Sequence, residues 1–146
     1  MKEKTLYLCL VIIHSFVGIG GLCGGFGIIL DPSGECNGVT TDLLKNAPFD
    51  DFFIPGLILF FLIGFCDLIV AVFAYNHYKY QPCLSGFMGI TLMIWIIVQC
   101  FMIESVNGLH VLFFLFGLIE ALLAFVLAYK KDTFPLPYIK KKLLRK

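Results

Sequence analysis

Four long stretches of the chain, residues 6–30, 54–75, 83–103 and 109–129, are almost wholly apolar. None has the polar face that a helix of a water-soluble bundle would need. Each reaches the roughly 20 residues that cross a hydrocarbon core about 30 Å thick. Backbone groups in lipid must pair within their own segment, so the pattern predicts helices and not strands. The expected fold is all-α: a polytopic membrane protein, a four-helix antiparallel bundle forming one membrane domain over 1–146. An outer loop spans 31–53, and a basic tail spans 130–146.

Composition agrees with the pattern, since 60% of the 146 residues are hydrophobic. Net charge is only +1, but its placement sets an orientation. Ten of the eleven Lys and Arg residues lie in the N-terminus, the 76–82 loop and the tail. The 31–53 loop holds Lys45 alone against Asp31, Glu35, Asp42, Asp50 and Asp51. The positive-inside rule then puts both termini in the cytoplasm and the 31–53 loop outside. Lys2 and Lys4 before the first run resemble a signal-peptide start. That run is longer than a typical signal core and no small-residue cleavage site follows, so it reads as a retained helix.

Six cysteines, at 9, 23, 36, 66, 83 and 100, contain no C-x-x-C pair. Only Cys36 falls in the outer loop, so no disulfide framework is implied, although a Cys23–Cys36 bridge is conceivable. In that loop, Asp31-Pro32-Ser33-Gly34 has the composition of a turn. Thr41 and Asp42 open a short helix, and Pro55 suits the first turn of the second long helix. Pro135 and Pro137 break any continuation of the fourth helix. The interleaved basic segment 139–146 suits an anionic lipid surface better than a nucleic acid.

Three of the four runs carry one ionisable residue each: His14, Asp67 and Glu120. Counted from the basic end of its own run, each lies about 12–14 Å deep. A charge at that depth costs about 2.5–3.5 kcal/mol on insertion scales. Periodicity ties all three to packing. His14, Gly18, Gly21 and Gly25 recur at helical spacing, as do Gly64, Asp67, Ala71 and Ala74. Glu120 borders a third stripe of Gly117, Ala121, Ala124 and Ala128. Small residues mark the face on which membrane helices touch, so the three ionisable residues are expected to face one another. They either fix packing as a neutral hydrogen-bonded network or form a shared site: a proton relay, a cation site or a head-group contact. No metal is expected, because ligands on separate helices show no diagnostic spacing.

A second polar group lies toward the outer side. Trp95 and Gln99 are one turn apart, and Glu104 and His110 flank the 105–108 turn. Trp95 is deep for an interfacial belt residue. Glu104 and His110 pair at the surface or line the mouth of a polar pocket. Gly20-x-x-x-Gly24 and Gly21-x-x-x-Gly25 fit close helix approach, and no dinucleotide fingerprint is present.

The Asp31-Pro32-Ser33-Gly34 turn, the segment from Pro48, Phe49 and Asp51 to Pro55 and Gly56, and Trp95-x-x-x-Gln99 together resemble a family of small four-helix bacterial membrane proteins. That family brackets its first outer loop with the same turn and proline-glycine segment. The resemblance spans most of the chain. It implies a four-helix bundle in the bacterial cell membrane, assigns no activity and carries over no catalytic residue.

No nucleophile, nucleotide or cofactor motif stands out, so a non-enzymatic accessory or interaction protein is the leading expectation. Its glycine-rich first helix would dock on another membrane protein or on itself. The alternative is a small oligomeric transporter or proton-coupled carrier that uses His14, Asp67 and Glu120. A lipid or quinone enzyme using the outer group ranks third.

Overall fold

The four apolar runs are four helices in the computed structural model, which describes residues 2–35, 38–44 and 47–132. They are α1 (Glu3–Leu30), α2 (Phe53–Tyr75), α3 (Gln81–Ile103) and α4 (Gly108–Lys131), and no strand occurs among the described residues. Each is long and apolar enough to cross a membrane. Cys36, Lys45 and residues 133–146 lie outside the described residues, and Cys23 is a free thiol.

The helix ends follow local chemistry. At the start of α4, Asn107 accepts from the backbone N–H groups of Leu109 and His110, while His110 Nδ1 accepts from the Asn107 N–H at 3.2 Å. This reciprocal box satisfies donors that a helix start otherwise leaves open. Glu104 closes α3 in the left-handed region, with φ 49°. In the first loop, Asp31 Oδ1 accepts from the Ser33 hydroxyl at 2.6 Å, and the turn is closed by the Gly34 N–H on the Asp31 carbonyl. Thr41–Leu44 is a single 3₁₀ turn. The loop lies back on the bundle by burying Leu44 and Phe52.

Two glycine crossings hold the helices together. On α1, Gly18, Gly21 and Gly25 lie against α2, where a Cβ on Gly21 would stand 2.8 Å from Gly64 Cα. On α3, a Cβ on Gly89 would stand 2.5 Å from the Gly117 carbonyl of α4. Gly20 and Gly24 also meet side chains of the same chain, Phe113 and Leu59. The glycine face of α1 is thus occupied from within.

The α1 seam explains the least expected feature of the backbone. Positions 56, 60, 64 and 68 of α2 all meet α1. Four residues per turn is too many for an α-helix, on which these positions would drift by about 120°. Between Ile58 and Phe65 the helix widens into π turns, and the Cys66 N–H reaches the Phe61 carbonyl five residues back. The wider turns keep one face of α2 on α1. Such π segments are rare and often adjoin functional sites.

Burial is layered along the bundle. An apolar cluster of Leu6, Tyr7, Leu10, Ala74 and Leu127 fills the end where α1 begins and α4 ends. Lys131 donates to the Tyr7 hydroxyl there at 2.9 Å. A second cluster of Val17, Ile63, Leu92, Trp95 and Ile96 lies toward the loop end. Between the two clusters is a polar layer.

Candidate functional site, a buried histidine between two carboxylates

The polar layer gathers one group or more from every helix. His14 of α1, Asp67 of α2, Gln81 and Ser85 of α3 and Glu120 of α4 are all fully buried. His14 Nδ1 lies 2.5 Å from Asp67 Oδ1 and 3.0 Å from Glu120 Oε1. On the other side of the ring, Nε2 lies 2.7 Å from the Ser85 hydroxyl, and the Gln81 amide donates to that hydroxyl at 2.6 Å. The seams position these groups. Asp67 is three residues from Gly64 at the α1–α2 crossing, and Glu120 is three from Gly117 at the α3–α4 crossing.

One assignment of hydrogens satisfies the whole chain of contacts. Gln81 donates to Ser85, Ser85 donates to Nε2 of His14, and Nδ1–H donates to Asp67. A second proton on the ring gives an imidazolium facing two carboxylates, with Ser85 accepting at Nε2. The ring therefore sits at a switch between two protonation states without moving.

Acceptors outnumber donors here. Asp67 Oδ2, Gln81 Oε1 and both oxygens of Glu120 are buried with no hydrogen-bond partner. Glu120 Oε1 is close enough to His14 to count as an ion pair, but its angle falls outside hydrogen-bond geometry. With a charged ring and both carboxylates ionised the layer would carry net negative charge in a low-dielectric interior, at large cost. A further proton removes that charge.

A metal ion is the other occupant to weigh, since one ligand atom from each of His14, Asp67 and Glu120 lies within 4.8 Å of the others. Two ligands on one tetrahedral ion with bonds near 2.1 Å stand about 3.4 Å apart. The 2.5 Å between His14 and Asp67 is instead the spacing of two atoms sharing a proton. Geometry favours the proton.

The order Ser85–His14–Asp67 also matches the relay of serine hydrolases, in which a buried acid orients the histidine that activates a serine. Acyl transfer needs N–H donors around the substrate carbonyl as well. Here the N–H groups of Cys83 and Leu84 beside Ser85 both go to the Tyr80 carbonyl. Ser85 lines neither of the two cavities described below. As placed, the Ser85 hydroxyl is fully buried and held between His14 and Gln81.

Gln81 falls before the apolar run 83–103 and Ser85 falls within it, so the run alone does not pair them. Helix α3 begins two residues earlier, and Gln81, Ser85, Met88, Leu92 and Trp95 form one buried stripe. The i,i+4 polar pair leading that stripe was the available signal.

The outer polar group divides. Trp95, Gln99 and His110 line one cavity of about 240 Å³ toward the loop end, together with Asn107, Gly20, Gly21 and Gly24. Glu104 is exposed and is not among its lining residues. The cavity floor is made by Ile63 and Leu92, the apolar layer that separates it from His14. Comparison with protein-family models, with curated proteins and with solved structures found no match.

Proposed function

We propose that this chain is an integral membrane protein that binds and releases a proton at the His14–Asp67–Glu120 centre, acting as a small proton-coupled carrier. The observation that carries the reading is the imbalance of the buried layer: one imidazole faces two carboxylates with unpartnered oxygens, at mid-depth in four membrane-length helices. Ionisable residues at that depth are functional hypotheses by default. A purely structural network gains most when every member is satisfied, and this one is not.

The two apolar clusters make the observed state an occluded one. Where α1 begins and α4 ends, the seal is Leu6, Tyr7, Leu10, Ala74 and Leu127. Toward the loop end it is Val17, Ile63, Leu92, Trp95 and Ile96, and all of these but Val17 also line the cavity. Charge placement assigns the termini to the cytoplasm and the loop end to the outside, in a bacterial cell membrane as the resemblance implies. Protons then reach the centre from outside when the apolar layer parts, and the π turns of α2 are where its backbone yields most easily.

The accessory-protein reading rests on the absence of catalytic motifs and on glycine faces suited to docking. Gly18, Gly21 and Gly25 pack on α2 within the chain, which favours the carrier reading. Proteoliposomes loaded with a pH-sensitive dye test it. Wild-type protein should move protons under an imposed potential, and Asp67→Asn and Glu120→Gln should abolish that flux. Unchanged flux in both variants removes the proposal.

A further inference from the structure

The loop-end cavity has the opposite chemistry to the proton centre. His110 Nδ1 accepts from the Asn107 N–H, so in the neutral ring the proton is on Nε2. Asn107 spends its carbonyl oxygen on the backbone N–H groups of Leu109 and His110, leaving its amide as a donor. Trp95 is only 7% exposed, and its indole N–H is buried with no acceptor. Trp95, Asn107 and His110 therefore offer hydrogens to one cavity of about 240 Å³. No cationic side chain is among its lining residues. A neutral acceptor suits such a wall better than an anion does.

His110 also lines an apolar groove of about 440 Å³ between α3 and α4, which shares Ile96 with the cavity. The groove is walled by Ile97, Phe101, Val111 and Leu115, all exposed on the outside of the bundle. A donor-lined cavity and an outward apolar groove thus meet at one histidine.

We infer that this is a binding site for a neutral, membrane-soluble amphiphile with a carbonyl head. The head lies in the cavity, accepting from Trp95 Nε1–H and His110 Nε2–H, and the tail lies along the groove between α3 and α4. Quinones and ester lipids share this chemistry. The site stands apart from the proton centre, with Ile63 and Leu92 between them, and does not depend on proton flux.

Trp95 is the single tryptophan of the chain, so its fluorescence reports this site alone. Purified full-length protein in detergent micelles is titrated with decylubiquinone in one arm and with a tail-brominated phosphatidylcholine in the other. Saturable quenching in either arm is expected, and which arm saturates identifies the source of the carbonyl. Binding should weaken about tenfold in His110→Phe, as for loss of one neutral hydrogen bond. Gln99→Leu, which replaces a further polar side chain on the α3 wall of the cavity, should also weaken it without disturbing the α4 cap. Linear, non-saturating quenching by both probes overturns the inference, as does equal affinity in wild type and both variants.

Discussion

Replacing Gly64 with alanine tests the link between the glycine seam and the proton centre. A Cβ at Gly64 would stand 2.6 Å from the Leu22 backbone nitrogen and 3.0 Å from the Gly21 carbonyl carbon, and neither is a side-chain end that can swing away. Restoring an ordinary contact of 3.4 Å requires α1 and α2 to part by roughly 0.8 Å. Carried one turn along to Asp67, that shift stretches the 2.5 Å contact with His14 to about 3.3 Å, beyond the usual charge-assisted range. Overpacking of this kind costs about 1–3 kcal/mol, and helix propensity returns less than about 1 kcal/mol. At about 2–4 °C per kcal/mol for a chain of this size, Tm should fall by roughly 2–10 °C. Gly24→Ala is the control, because its Cβ would meet only the tip of Leu59 at 3.4 Å. Its Tm should be unchanged or slightly higher. Thermal unfolding in one detergent measures both, and proton flux follows the same variants. Equal Tm shifts for the two, or a Gly64→Ala protein with full stability and flux, would refute the coupling of seam to centre.

Three further outcomes follow from the same geometry. Ser85→Ala leaves the ring Nε2 and the Gln81 amide buried without partners, so it should destabilise by about 1–3 kcal/mol; adding Gln81→Met should recover part of that loss, as a double-mutant cycle of thermal unfolding would show. Leu92→Ala removes the α3 side chain of the apolar cluster that is most fully buried, costing about 2–5 kcal/mol and raising proton leak in proteoliposomes; an unchanged leak would mean the cluster is not the outer seal. Zinc and a chelator should each leave Tm where it is, since the His14–Asp67 spacing suits a shared proton; a saturable rise of several degrees with zinc would put a metal in the layer instead.

Much of this arrangement was legible from the pattern of the chain. Long apolar runs leave the backbone few choices, and small residues three and four apart show which faces touch. His14, Asp67 and Glu120 lay on or beside those faces, and the structure brings them within contact. Other parts were not readable at that level. The π turns of α2 come from matching its face to α1, a tertiary demand with no local propensity behind it. Gln81 lies outside the apolar run that begins at Cys83, so the run by itself does not show the face that Gln81 and Ser85 share with Met88 and Leu92. The outer group was read from proximity in sequence, which grouped exposed Glu104 with His110, whereas the α4 cap turns the His110 ring into the cavity beside Trp95. Asn107, whose backbone N–H holds that ring, falls in the sequence within a turn.

In the proposed function, the buried carboxylates take up and release a proton beside His14. Infrared difference spectra of the reconstituted protein, recorded between neutral and acidic pH, read this directly in the carbonyl band of protonated carboxyl groups. A deuterium-sensitive band is expected in the wild type, and it should disappear when Asp67→Asn and Glu120→Gln are combined. The same band persisting in the double variant, or none in the wild type, would contradict it.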